Sequence, residues 1–206
     1  MKLFSTLLVG ALCLLPAMAI AQDKPAAISD AIVQTYSDAT FGKASPDWQA
    51  RMQQDETIQK CNKFRNNIPA AEADAIQNRE RARVVLPADG KFTGNWKAGF
   101  QIANNGQGGQ FSDPPGTIAG GNCYACHQLD PLEVSYGTLG PSLTGYGRDR
   151  GFKPEEAKNA FIKIYDSQAV QACSNMPRFG ANKVLNEQQI RDAVAYLFDP
   201  ESPVNK

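Results

Sequence analysis

The sequence predicts an all-α fold, and three segments carry that expectation. Asn186-Glu187-Gln188-Gln189 offers an N-cap with a capping-box partner three residues on, and Ile190, Ala193, Val194 and Leu197 behind it form one apolar stripe. Pro154-Glu155-Glu156 opens a second helix, in which Ala157, Phe161 and Ile164 recur at helical spacing. Ser45-Pro46-Asp47 starts a third, with Ser as N-cap and Pro at the first helical position. No strand–helix–strand alternation surrounds the cysteines at 123 and 126.

At the N-terminus, Lys2 precedes an apolar run from Leu3 to Leu15 and then Pro16-Ala17-Met18-Ala19-Ile20-Ala21. A charged start, an apolar stretch and a small-x-small site predict a signal peptide over residues 1–21, cleaved after Ala21 with Ala19 the alternative. The run is shorter than the roughly 20 apolar residues a spanning helix needs. Cys13 has no small residue just before it, so lipid attachment there is not expected. The expected product is soluble and exported, periplasmic in a bacterium, where disulfides persist. Lys and Arg number 21 against 21 Asp and Glu, so bulk charge points neither to nucleic acid nor to a disordered tail.

Residues 22–90 read as a helical extension. From Ser45 the apolar positions Trp48, Met52, Cys61 and Phe64 are loosely periodic, and Pro69 starts another segment with Ala70, Ala73, Ile76 and Ala82 among many charges. Glu80-Arg81-Ala82-Arg83 reads as a solvated helix face rather than a binding patch. Val84-Val85-Leu86-Pro87 with Asp89-Gly90 is an extended piece and a turn.

Residues 91–206 form a second region. Asn95 to Ala103 makes a short helix in which Gly99 costs about 1 kcal/mol relative to Ala. Close approach of another helix would compensate, and the C-terminal helix with Tyr196 is the candidate. A Gly- and Pro-rich loop then leads into Cys123-Tyr124-Ala125-Cys126-His127. C-x-x-C-H is the attachment signature of c-type haem: each thiol adds across one porphyrin vinyl, and the adjacent His lies beneath the iron. The competing reading is a redox-active cysteine pair. His127 is the only histidine in 206 residues. As an iron ligand it leaves no imidazole for acid–base work or a zinc site.

Other residues would complete such a site. Pro141, in Gly140-Pro141-Ser142-Leu143, can present a backbone carbonyl to the His127 Nδ1–H and leave Nε2 for iron. Beyond residue 21 the methionines are Met52 and Met176. Met176, followed by Pro177 in a segment too polar and broken for a helix, is the sixth-ligand candidate, against the reading of Met as core filler. Cys61 and Cys173 remain. An even remainder in an oxidising compartment suggests a disulfide, the alternative being two buried thiols. Cys173 is a rival iron ligand only if unbridged. Arg178, Arg148 and Arg150 are open between haem propionates and solvent.

These features together resemble a class I cytochrome c domain. More narrowly, three longer runs resemble the SoxX family: Phe111-Ser112-Asp113-Pro114-Pro115-Gly116 through Asp130-Pro131, Gly137-Thr138-Leu139-Gly140-Pro141-Ser142-Leu143 through Gly147, and Ala172-Cys173-Ser174-Asn175-Met176-Pro177-Arg178-Phe179-Gly180. The terminal Asp199-Pro200-Glu201-Ser202-Pro203 extends the likeness. The resemblance implies one covalent haem c on Cys123 and Cys126, with His127 and Met176 on the iron. It further implies a subunit of the SoxAX complex, an S-thiosulfotransferase that couples thiosulfate oxidatively to a cysteine of the SoxYZ carrier. The implied partners are a SoxA-like haem subunit, SoxYZ and a downstream soluble cytochrome c. This chain would move electrons and would not be catalytic alone. A free-standing monohaem carrier shares every haem motif. A haem peroxidase would need a distal acid–base group, and no second His supplies one.

Overall fold

The computed structural model describes residues 28–65, 67–110 and 112–206; the expected signal peptide lies outside them. Among the described residues there are helices and short 3-10 turns and no strand. The chain forms two compact units, one ending at Gln53 and the other running Gln54–Lys206.

In the first unit, α1 (Asp30–Phe41) is capped by Ser29, whose side chain accepts from the Ile32 amide, and buries none of its residues. Gln49 of α2 (Pro46–Arg51) donates to the carbonyls of Gly42 and Ala44 at 3.1 and 2.8 Å, which closes the turn between the helices. Ser45 stands at the N-cap of α2 without a capping side-chain bond.

The long segment expected from Ser45 is therefore broken. Met52 is exposed, and a new helix, α3 (Glu56–Phe64), starts at Asp55, whose carboxylate accepts from the Ile58 amide at 2.9 Å. An N-cap acid satisfies one of the orphan donors of the first turn and favours a fresh start there. After α3, α4 (Ala70–Arg83) turns Ile76 and Glu80 inward, one helical turn apart, as α3 does with Thr57 and Cys61. Arg81, Ala82 and Arg83 are exposed, but Glu80 is 1% exposed, so the charged run is not uniformly a solvated face.

Farther along the second unit, α5 (Trp96–Asn104) is capped by Asn95, and α8 (Glu187–Phe198) carries a full capping box between Asn186 and Gln189. These helices cross at Gly99, where a Cβ would overlap the Asp192 carbonyl oxygen and stand 2.8 Å from the Tyr196 Cβ. Asp192 also accepts from the Asn95 amide at 2.8 Å, and Phe100 meets Tyr196 edge-on at 5.7 Å. Beneath the crossing, Ile190, Val194 and Leu197 pack with Ala157, Phe161 and Ile164 of α7 (Pro154–Tyr165). Full burial of each large aliphatic contributes about 1.5–3 kcal/mol. The short α6 (Tyr146–Asp149) is held by the C-terminal tail, where Asn205 Oδ1 accepts from the amides of Gly147 and Arg148.

Candidate functional site

α5 positions the cysteine motif. Leaving it, the chain doubles back so that the Gly121 amide donates to Ile102 O at 2.8 Å and the Asn122 amide to Asn105 O at 3.0 Å. Asn122 takes the left-handed conformation at φ 47°, and the chain turns sharply into a 3-10 turn over Cys123–Ala125. Within it the Cys126 and His127 amides both donate to Cys123 O, at 3.0 and 2.9 Å. The turn brings both thiols and the imidazole onto one short stretch of chain. The two cysteines are not bonded to each other. Burial, with the neighbouring Cys126 adding to it, pushes the Cys123 thiol up to about 12.

His127 is oriented from the opposite side. Gly137 donates to Tyr124 O and Gly140 to Cys126 O, both at 2.8 Å, which lays residues 137–141 along the motif. The Pro141 carbonyl stands 2.7 Å from His127 Nδ1. A carbonyl only accepts, so Nδ1 carries the proton and Nε2 keeps its lone pair for a metal. Gly140 is needed for close approach, since a Cβ there would overlap His127 Cε1.

Met176 is half-buried and packs against the core, as do Cys123, Ile102, Leu143 and Val184. Its carbonyl accepts from Ser167 Oγ at 2.5 Å. Met52 lies exposed in the first unit. Cys173 is bonded to Cys61, so no free thiolate is left to rival Met176.

Residues 116–199 match the cytochrome c family. Over those residues, about two-fifths of the chain, it is similar to a cytochrome c domain. A protein of Aquifex aeolicus (strain VF5), described as an uncharacterized lipoprotein, is 40% identical over 129 residues, which cover 61% of this chain. The chain spans about three-fifths of that relative, 60% of its length.

A cytochrome c domain implies covalent haem c, and the residues present fit it. Two unbridged cysteines flank the turn, and His127 has its Nδ1 committed and its Nε2 available. Half-buried apolar side chains, with one thioether among them, supply surface for a planar apolar group. Cys123 and Cys126 would hold the haem, with His127 and Met176 as ligands. No cluster of three or more His, Cys, Asp or Glu suited to a metal ion occurs among the described residues.

The arginines have protein partners. Arg178 pairs with Asp55 at 2.5 Å and Glu80 at 3.7 Å. Arg148 reaches the carbonyls of Asn205 and Lys206, and the Arg150 guanidinium lies 3.6 Å from the centre of the Tyr146 ring. Sequence reasoning passed over Ser167, Gln168 and the acids facing Arg178. Asp55 carried a readable sign as an N-cap; nothing marked the others.

Proposed function

We propose that this chain is the electron-transfer subunit of a SoxAX-type complex, an exported haem protein that takes up electrons as thiosulfate is coupled to the SoxYZ carrier cysteine. The observation that carries electron transfer is the commitment of the one imidazole. His127 Nδ1 is hydrogen-bonded to Pro141 O, Nε2 would be the nitrogen left to hold an iron, and the chain has no second histidine for acid–base chemistry. When bound, haem c supplies a one-electron iron couple. Cys123 and Cys126 anchor it, Pro141 fixes the His127 tautomer, and Met176 offers a neutral thioether that raises the reduction potential.

The SoxX assignment is supported by the longer runs that surround these ligands. Partner binding is supported by the loop directly after the motif, where Leu132, Val134, Tyr136 and Leu139 are exposed, as Tyr124 is within it. A SoxA-like haem subunit is the proposed partner, with SoxYZ as carrier and a soluble cytochrome c as electron acceptor. An obligate contact of this kind buries upward of about 2,000 Å². Export fits a cytochrome c domain with a relative described as a lipoprotein; no helix among the described residues is long and apolar enough to cross a membrane.

A free-standing monohaem carrier is the second reading. One observation favours it: α3 and α4 are fastened to the rest of their own unit by the disulfide and by Arg178, so they need no partner to account for them. The deciding assay measures thiosulfate transfer to SoxYZ by mass of the carrier, with this chain alone, a SoxA-like subunit alone, and both together. Transfer is expected only with both. Full transfer by the partner alone, unchanged by this chain, leaves the carrier reading.

A further inference from the structure

Arg178 stands two residues after Met176, and its guanidinium is committed to α3 and α4. One terminal nitrogen lies 2.5 Å from Asp55 Oδ2 and the other 3.7 Å from Glu80 Oε2; the side chain is only 12% exposed. Glu80 is buried and already held by Thr57, by Arg79 at 3.2 Å and by Arg83 at 3.3 Å. Arg178 therefore enters a fixed acidic site rather than gathering loose acids from solvent.

The segment it belongs to has little structure of its own. No helix forms between Ala169 and Glu187. Up to and including Met176 the chain is fixed by the Cys61–Cys173 bond, by Gln168 Nε2 donating to Ser174 O at 2.9 Å, by the Met176 amide donating to Ser174 Oγ at 3.3 Å and by Ser167 donating to Met176 O. Immediately downstream, across Pro177, the Arg178 pair is the first side-chain fastening, followed by Phe179, whose ring is buried in the core and whose amide donates to Ile164 O at 3.2 Å. A thioether is neutral and has no charge to draw it to a metal. Its occupancy depends on how well the chain is ordered before it binds.

We infer that Arg178 is a positioning residue for Met176, acting through Asp55 and Glu80 to keep the methionine segment in its ligating arrangement. This rests on the reading above that Met176 is an iron ligand. The α5–α8 crossing and the α7 contacts do not pass through Arg178, so its loss frees the methionine segment before it unfolds the domain.

The test uses ferric full-length holoprotein titrated with imidazole, which competes with a thioether for iron. The sulfur-to-iron charge-transfer band at the red edge of the spectrum is followed throughout. Detachment of Met176 raises the fraction of protein open to imidazole and tightens its apparent binding in proportion. Loss of a charge-assisted contact predicts about tenfold tighter apparent binding in Arg178→Gln, with Arg178→Lys in between. Asp55→Asn should move the same way. Lys60→Gln, which removes the Lys60–Glu72 and Lys60–Glu56 pairs between and along the same helices, should not. Far-UV circular dichroism should be unchanged in all four. Wild-type imidazole affinity in Arg178→Gln, with the band present in both proteins, overturns the inference and leaves Met176 ligation standing. A wild-type protein without the band overturns both. Should Arg178→Gln fail to fold, Asp55→Asn decides by the same two outcomes.

Discussion

Gly99 lies against Asp192 so closely that a Cβ at position 99 would overlap the Asp192 carbonyl oxygen. The glycine is therefore a condition of the α5–α8 crossing rather than a weak spot in a helix. Two effects oppose each other on substitution. Alanine gains about 1 kcal/mol of helix propensity, while overpacking a crowded contact costs about 1–3 kcal/mol. Because the obstructing atom is backbone, which cannot swing aside, the steric cost should win. Gly99→Ala is expected to lower unfolding free energy by up to about 2 kcal/mol on balance, and Gly99→Val by more. Urea unfolding of the holoprotein measures it; a raised midpoint for Gly99→Ala contradicts the close-crossing account.

Much of this was legible because the residues concerned act locally. A glycine within a helix announces a neighbour, an Asn-x-x-Gln before an apolar stripe announces a capped start, and C-x-x-C-H carries its turn within five residues. The pairing of Cys61 with Cys173 followed from counting, since only two cysteines were left over. What could not be read depends on residues far apart in the chain. Glu80-Arg81-Ala82-Arg83 looks like any solvated face until α3 lies across it and buries one of the four. Arg178 had no visible partner, because Asp55 is 123 positions away. An apolar-pattern reading places helices well, but which of two helix pairs joins a core is settled by cross-links that have no local signature.

Gly140 tests the orientation of His127. A Cβ at 140 would overlap the imidazole Cε1, so the ring must turn and its bond to Pro141 O must stretch or break. Without that bond the tautomer that leaves Nε2 free loses its preference. Gly140→Ala should thus lower the haem-to-protein ratio of the purified chain and change its ferric spectrum. Ser142→Ala, one residue beyond the carbonyl that matters, should leave both as in wild type. Normal haem content in Gly140→Ala would show that the imidazole is not tightly seated there.

The two methionines beyond residue 21 should behave oppositely. Met176→Ala should abolish the sulfur-to-iron charge-transfer band and lower the reduction potential, since a thioether ligand raises it. Met52→Ala should alter neither. Redox titration with optical monitoring gives both quantities, and an alkaline pyridine haemochrome assay of the same samples should return one haem per chain. Loss of the band in Met52→Ala would reassign the ligand.

Cys61 and Cys173 close a loop with a sequence separation of 112. On the chain-entropy account a bridge of that span stabilises by about 4–5 kcal/mol. Thiol labelling of the denatured, unreduced holoprotein, processed so that Cys13 has left with the signal peptide, should find no free cysteine, because the haem takes up Cys123 and Cys126. The double variant Cys61→Ser/Cys173→Ser should lose several kcal/mol on denaturation, and its methionine band should disappear at lower denaturant than its helical signal. Two labelled thiols in the wild-type protein would remove the bridge from the account.

Asp55 gives the acid limb of stability its sign. Burial alone would raise its carboxyl, but the Ile58 amide and the Arg178 guanidinium, with Arg79 behind, outweigh burial and hold it below the ordinary aspartate range. A carboxyl whose value is lower folded than unfolded binds fewer protons in the native state. Its stabilising contribution is therefore fully present above the unfolded value, about 3.9 for Asp, and is lost as pH falls through the lowered folded value. Unfolding midpoints of the wild-type holoprotein should decline as pH drops below about 4. In Asp55→Asn that decline should be shallower, and stability near neutral pH should already be reduced, because Arg178 keeps only the more distant Glu80 at every pH. Because Asp55 fastens the methionine segment through Arg178, the charge-transfer band of the wild type should weaken over the same acid interval, ahead of the loss of helix. An acid limb of the same slope in both proteins would mean that another carboxylate governs it.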